Sequence, residues 1–301
     1  MKPRPVRVAC IGHASLDHVF GIAQFPSRPS KTPAHHYVAQ GGGMSFNAAI
    51  AAARLGASVR LIGRVGHDAA AAFLRDALAR EGIDAQGLLS VPGCETSVSA
   101  IVVDESGERQ IVTHRGSALH AAPALDVRWL EGADIVLTDP RWPAGARSAL
   151  QWARQHGVMS MLDADVAPRR DLRALVPLAD WAVFSEAGWA AWGGGEVQAE
   201  LPRLCRRGGA AVVTQGEHGA WFCRGGEVLH VAAFAVAASD TTAAGDVFHA
   251  ALAVALAEGH GDEAALRLAS AAAAMKCERG HGAFGAPTRA ALLRWLTRQP
   301  R

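Results

Sequence analysis

Short apolar runs of strand length alternate along this chain with longer stretches of helical spacing, and few folds accommodate that alternation. It is the pattern of βα units laid on a mostly parallel sheet. Residues 6–11, 59–63, 134–138, 158–162, 181–184 and 210–214 read as buried strands. Residues 45–55, closed by Gly56, 69–80, stopped by Gly82, and 144–156 read as helices. The last quarter turns helical over 244–258, 262–279 and 289–298. No internal repeat and no linker of disordered composition interrupts the series, so residues 1–301 are expected to form one α/β domain.

Two stretches do not fit the alternation. Residues 19–38 look extended and are rich in Pro, and 96–103 with 110–114 read as a hairpin around Ser106-Gly107-Glu108. Strands outside any βα unit must pack elsewhere. A small sheet built from segments at about 17–39 and 96–116 is expected, serving as a lid over the site or as a dimer contact.

Charge and cysteine usage narrow the partners. The net charge is +2, with 30 basic residues scattered among 28 acidic ones, so no nucleic-acid stripe is formed and a small molecule is the better expectation. Cys10, Cys94, Cys205, Cys223 and Cys277 lie far apart without metal-ligand spacing, as expected of buried thiols in a reducing compartment. The longest uncharged helical run near the end, 247–257, is too short to span a membrane, and the apolar run 8–11 is too short for a signal-peptide core. A cytoplasmic protein is expected.

The segment Ser239-Asp240-Thr241-Thr242-Ala243-Ala244-Gly245-Asp246 runs into the apolar stretch 247–252. It places small residues and a carboxylate where a helix begins, so free backbone amides and a proton acceptor converge on one point. That suits moving a phosphoryl group onto a hydroxyl. An ordinary helix capped by Asp240 or Thr242 is the competing reading. No P-loop motif occurs, and the chain holds only three lysines, Lys2, Lys31 and Lys276. The GxGxxG match at Gly280 to Gly285 follows a helix and opens none, which argues against a dinucleotide fold. A second cluster, Gly41-Gly42-Gly43, opens the first long helix and sets Asn47 on its first turns, where an amide offers both donor and acceptor to sugar hydroxyls. Asp17 lies just past the first strand, at the end where open α/β sheets bind ligands.

Taken together these residues resemble the ribokinase-like, or PfkB, sugar kinases over essentially the whole chain. The glycine cluster with Asn47-Ala48-Ala49 and Arg54-Leu55-Gly56-Ala57 is similar to the first motif of the family, and Asp240 to Asp246 to its second. Gly63-Arg64-Val65-Gly66-His67-Asp68 fits the same pattern. The resemblance implies a three-layer αβα fold with a mostly parallel sheet and a small β-sheet lid. It implies that Asp246 is the catalytic base and that the amides of Ala243, Ala244 and Gly245 form an anion hole. Asp17, Gly42, Gly43, Asn47 and Arg141 would hold the sugar. Thr214, Gly216, Ser185 and Gly282 would contact ATP with Mg²⁺, and Asp240 and Thr242 would border a K⁺ site. A homodimer through the lid is implied as well.

Two departures stand out. Ala243 occupies a position where the family more often has Gly, tolerable if its φ is negative. Ser185-Glu186-Ala187-Gly188 replaces the usual Asn-x-x-Glu motif. At the first turn of its helix, Asp246 is expected to be ionised, a weak base. Within the family, Asp139-Pro140-Arg141-Trp142, 157–163, Phe184-Ser185-Glu186, 246–249 and Met275-Lys276-Cys277 most resemble the sulfofructose kinases. That implies phosphorylation of the 1-hydroxyl of 6-deoxy-6-sulfofructose, with Arg141 meeting the anionic group. Thr113-His114-Arg115 departs from that branch, which keeps fructose, tagatose 6-phosphate, fructose 6-phosphate and ribose as alternatives. A nucleoside kinase would favour an apolar flap, whereas this one carries Arg28, Lys31, His35 and His36, and a non-catalytic sugar sensor would be expected to lose the base.

Overall fold

The computed structural model describes residues 4–121, 124–205 and 209–299; the basic start at residues 1–3 lies outside them. The chain begins with β1 (Arg7–Gly12), whose Val8 and Cys10 face one apolar layer while Ala9 and Ile11 face another. A strand buried on both faces reads as an unbroken apolar run, which is why β1 was legible without alternation.

The chain then leaves the main sheet for β2 (Ser15–Ile22) and β3 (His36–Gly42), and returns through α1 (Met44–Arg54), β4 (Ser58–Gly66), α2 (Ala69–Arg80) and β5 (Leu88–Val91). A second excursion forms β6 (Ser97–Asp104) and β7 (Arg109–His114). Next come β8 (Ile135–Thr138), α3 (Pro143–His156), β9 (Met159–Ala164), α4 (Arg169–Leu175), β10 (Trp181–Ser185), α5 (Glu186–Trp192), α6 (Val197–Cys205) and β11 (Ala210–Thr214). The hairpin β12 (Ala220–Arg224) and β13 (Glu227–Val231) precedes α7 (Ala244–Ala257), α8 (Asp262–Arg279) and α9 (Arg289–Leu296).

The main sheet has the order β13-β12-β11-β10-β9-β8-β1-β4-β5, parallel except for the terminal β12 and β13. Helices α1, α7 and α8 pack on one face and α3, α4 and α6 on the other, giving three layers. The excursions form a separate four-stranded sheet, β3-β2-β6-β7, as the Pro-rich stretch and the Ser106-Gly107-Glu108 hairpin led us to expect.

This topology places the site. Strand β1 lies between β4, reached through α1, and β8, reached much later, so the winding direction reverses between β1 and β8. Loops leaving the carboxyl ends of these two strands diverge and open a crevice. Asp139, just after β8, holds that crevice in shape. It is buried, and it accepts hydrogen bonds from the His13 amide at 2.8 Å, Ser45 Oγ at 2.5 Å and the Arg141 amide at 2.8 Å. A Cβ on Gly12 would lie 2.2 Å from Asp139 Oδ2, so that residue must be glycine.

Candidate active site

Two cavities run along the carboxyl ends of the main-sheet strands and meet at the start of α7. The smaller, of about 410 Å³, lies between those ends and the four-stranded sheet, and its lining includes Asp17, Asn47, Arg141, Ser185 and Asp246. The larger, of about 750 Å³, is lined by Gly216, Phe234, Val236, Phe248 and Ala274, an apolar slot of a size that takes a nucleotide. Thr214, Thr241, Ala244 and Gly245 line both, so the start of α7 is where a molecule in one would meet a molecule in the other.

No side chain caps α7, and its first-turn amides have no intrahelical acceptor. Among the three expected anion-hole residues, the Ala244 amide donates to Thr241 O at 3.2 Å. Gly245 opens to both cavities. Ala243 departs from expectation: its φ is +63°, not negative. Among the described residues only Ala243 and His281 are non-glycine residues in left-handed conformation, and both lie in segments that border Asp240. The turn demands the conformation usually given to glycine, and alanine adopts it at a cost of roughly 1–2 kcal/mol.

Asp246 accepts a hydrogen bond from Asn47 Nδ2 at 2.7 Å, so Asn47 fixes the carboxylate as well as lining the cavity. Its environment reverses the expectation from the helix start. Burial, reinforced by the nearby Asp163 carboxylate, pushes the Asp246 carboxyl up to about 7, outweighing the Asn47 bond. A carboxylate near 7 is a competent base at neutral pH.

Behind Asp246 stands a pair that the sequence reading did not single out. His249 lies one turn along α7, and its Nδ1 is 3.0 Å from Asp163 Oδ2, both side chains being buried. The approach is an ion-pair distance without hydrogen-bond alignment, and neither ring nitrogen nor Asp163 Oδ1 has a hydrogen-bond partner among the described residues. Burial alone would lower the imidazole, but Asp163, with Asp246 behind it, raises it above the ordinary histidine range. Asp163 thus favours the charged form of His249, one turn along from Asp246. The i, i+3 spacing of Asp246 and His249 was readable; Asp163, on β9, was not linked to them by any local pattern.

The glycine cluster serves the protein before it serves a ligand. A Cβ on Gly42 would lie 1.8 Å from Asp17 Oδ2, and one on Gly43, where φ is +92°, would lie 2.7 Å from His13 O. Gly42 thus makes room for Asp17, which sits on β2, accepts from Ser15 Oγ at 2.9 Å, and is raised by burial above the usual carboxylate range. Gly43 and Asp17 line the smaller cavity.

Arg141 reaches that cavity 3.7 Å from Asp165. The neighbouring Trp142 ring is covered by Arg64 at 4.8 Å. Arg109 and Arg115 line the same cavity, Arg109 donating to the hydroxyls of Thr241 and Thr242 at 3.3 and 3.4 Å. Ser185 caps α5 through the Gly188 amide and donates to Asp165 Oδ1 at 2.6 Å. It faces the smaller cavity, not the nucleotide slot.

Gly282 and Asp240 line neither cavity. The Gly282 amide donates to Asp240 Oδ2 at 3.0 Å and the Thr242 amide to Oδ1 at 2.8 Å. Burial opposes ionisation of Asp240, but these amides and the Lys276 ammonium hold its carboxyl at about 2.

The family model for the pfkB family carbohydrate kinases matches residues 6–289. The chain is 30% identical to a ribokinase of Haemophilus influenzae over 95% of this chain and 97% of that protein. It is also 30% identical to a ribokinase of Bacillus subtilis over 94% and 96%. A solved structure of a putative ribokinase from Agrobacterium tumefaciens superposes with a TM-score of 0.92 at 36% identity, covering 98% of this chain and all of the other. A cleft of nucleotide size and a hydroxyl-lined cavity meet at an uncapped helix start beside the buried Asp246 carboxyl, an arrangement compatible with such a kinase. The chain belongs to the pfkB family of carbohydrate kinases: it has the ribokinase-like αβα fold and is an ATP-dependent sugar kinase.

Proposed function

We propose that the protein phosphorylates a sugar bearing an anionic group, with the 1-hydroxyl of 6-deoxy-6-sulfofructose as the leading acceptor. The observation that carries this reading is the arginine set: Arg109, Arg115 and Arg141 line one cavity with Asp17, Asn47 and Asp246. A neutral sugar needs the carboxylate and amide but no guanidinium. Arg141, at 3.7 Å from Asp165, keeps donors for an incoming sulfonate or phosphate. His13, also in the lining, is held at about 4 by burial, against the pull of Asp139, so at neutral pH it offers hydrogen bonds without charge.

In the reaction the sugar hydroxyl attacks the γ-phosphorus in line, its proton passes to Asp246, and ADP leaves. The transferring group sits over the α7 amides, where oriented donors stabilise the charge that spreads over its oxygens. A divalent ion such as Mg²⁺ neutralises phosphate charge when bound. Asp165, one-third exposed at the cavity, is a hard oxygen ligand suited to it. The lid sheet would exclude water, and a homodimer through that sheet would cover its exposed Tyr37 and Val112.

Ribose is the second reading, favoured by the ribokinase relatives that the chain matches over nearly its full length. An ADP-release screen across 6-deoxy-6-sulfofructose, fructose 6-phosphate, tagatose 6-phosphate, fructose and ribose, repeated with Arg141→Ala, separates the two. The anionic reading expects kcat/KM for an anionic ketose at least tenfold above fructose and ribose, with the gap collapsing in Arg141→Ala. Preference for ribose, untouched by that substitution, would refute it.

A further inference from the structure

The monovalent-cation site implied at Asp240 and Thr242 is already filled by a side chain. Lys276, on α8, is wholly buried, and its Nζ lies 2.6 Å from Asp240 O and 3.0 Å from Asp240 Oδ2. A backbone carbonyl and a carboxylate oxygen converging on one point are the ligands a potassium ion would take. An ion bound to these same two oxygens would sit on top of the ammonium, two like charges against a wholly buried side chain. The residues therefore do not fit a potassium ion there.

We propose that the Lys276 ammonium is a tethered replacement for the monovalent cation, so that this protein assembles its anion hole without potassium. An ammonium group and a potassium ion are similar in size and charge, and both are satisfied by oxygen. The tether removes the entropic cost of capturing an ion from solution. It also joins the two segments that the site needs in register. The amides of Ser239 and Asp240 donate to Cys277 O at 2.8 and 3.2 Å, and the Thr242 and Gly282 amides close on Asp240. Lys276 neutralises the carboxylate at the centre of that knot. From there the chain runs through left-handed Ala243 directly into α7, whose first residues, Ala244 and Gly245, line both cavities. With the cation supplied by α8, the turn is set once the chain has folded.

This inference rests on the kinase reading only where activity is measured; its thermal arm stands without it. The full chain, its Lys276→Ala variant, which leaves room for an ion, and its Lys276→Met variant, which does not, are compared at constant ionic strength. The salts are potassium, sodium and tetramethylammonium chloride, with propylammonium chloride as a probe of chemical rescue. Unfolding temperature and ADP release are both read. Wild type is expected to unfold within 1 °C and turn over within about 1.5-fold in every salt. Lys276→Ala is expected to unfold several degrees lower in tetramethylammonium and to lose at least tenfold in turnover. Potassium or propylammonium should then raise both, turnover by threefold or more, while Lys276→Met stays unrescued. A saturable rise in wild-type unfolding temperature or turnover with potassium would overturn the proposal. So would a Lys276→Ala protein that is unimpaired in tetramethylammonium, or impaired and rescued by neither cation. If Lys276→Ala does not fold in any salt, the wild-type comparison decides by itself. Absence of ADP release from every sugar, with the thermal pattern intact, would count against the kinase reading alone.

Discussion

At the scale of single residues, the proposed chemistry turns on Asp246, whose placement carries a measurable penalty. Its carboxyl is held at about 7, far above an exposed aspartate, because burial beside Asp163 outweighs the Asn47 hydrogen bond. The base must be ionised to accept a proton, so kcat/KM should rise with pH along an acid limb centred near 7. A flat profile from pH 5.5 to 8.5 would contradict the assignment. The same shift has a sign for stability. Between the ordinary carboxylate range and about 7 the folded protein keeps a proton that the unfolded chain has released, so this group makes stability fall as pH rises through that window. Ala243 offers a second test. Its left-handed backbone costs roughly 1–2 kcal/mol, and glycine would return about 0.5–1 of that through unfolded-chain entropy. Ala243→Gly should therefore stabilise the protein only slightly, by less than about 1 kcal/mol in denaturant unfolding, because glycine relieves the backbone but removes a methyl group that packs partly buried against the core.

At the scale of elements, β2, β3 and α1 meet through glycines that have no room for a side chain. Gly42→Ala would drive a methyl group into Asp17 Oδ2. We expect a rise in the sugar KM of at least tenfold, about 1.4 kcal/mol, with a smaller change in kcat; an unchanged KM would mean that Asp17 does not hold the sugar. Much of this frame was legible in the sequence. Helix α2 begins and ends where the apolar spacing and the Gly82 stop place it, α8 spans the 262–279 read from its spacing, and β11 matches its apolar run residue for residue. The antiparallel hairpin β12 and β13 was not read, although Gly225-Gly226 is a hairpin turn signal, because its exposed positions blur the apolar run. Strand β5 is only four residues long, and α6 carries an internal Pro202, so neither presents a full period. The site divides the same way. Asp246 and Asn47 stood out because they adjoin motifs of glycine and small residues, and Asp17 because it closely follows the first strand. Asp139, Asp163 and Asp165 did not, since each is a lone carboxylate at a strand end whose partners lie far away in sequence.

At the scale of the whole molecule, the reversal of winding at β1 and β8 opens one crevice, and the four-stranded sheet stands over it. That sheet exposes Val112 at 66% and Tyr37 at 54%, unusual for a face left to water. Light scattering is expected to give a mass of twice 31.4 kDa, and Val112→Glu to shift it toward the monomer; a monomeric wild type would refute the lid-mediated dimer. The central claim is that phosphoryl transfer takes place at the start of α7 with Asp246 as base. Its most direct test is ADP release by Asp246→Asn with the preferred sugar, alongside its unfolding temperature at pH 8. We expect turnover to fall by roughly 10²- to 10⁴-fold, with an unfolding temperature equal to or above wild type because a buried charge is removed. Near-normal turnover by a folded Asp246→Asn protein would contradict the account.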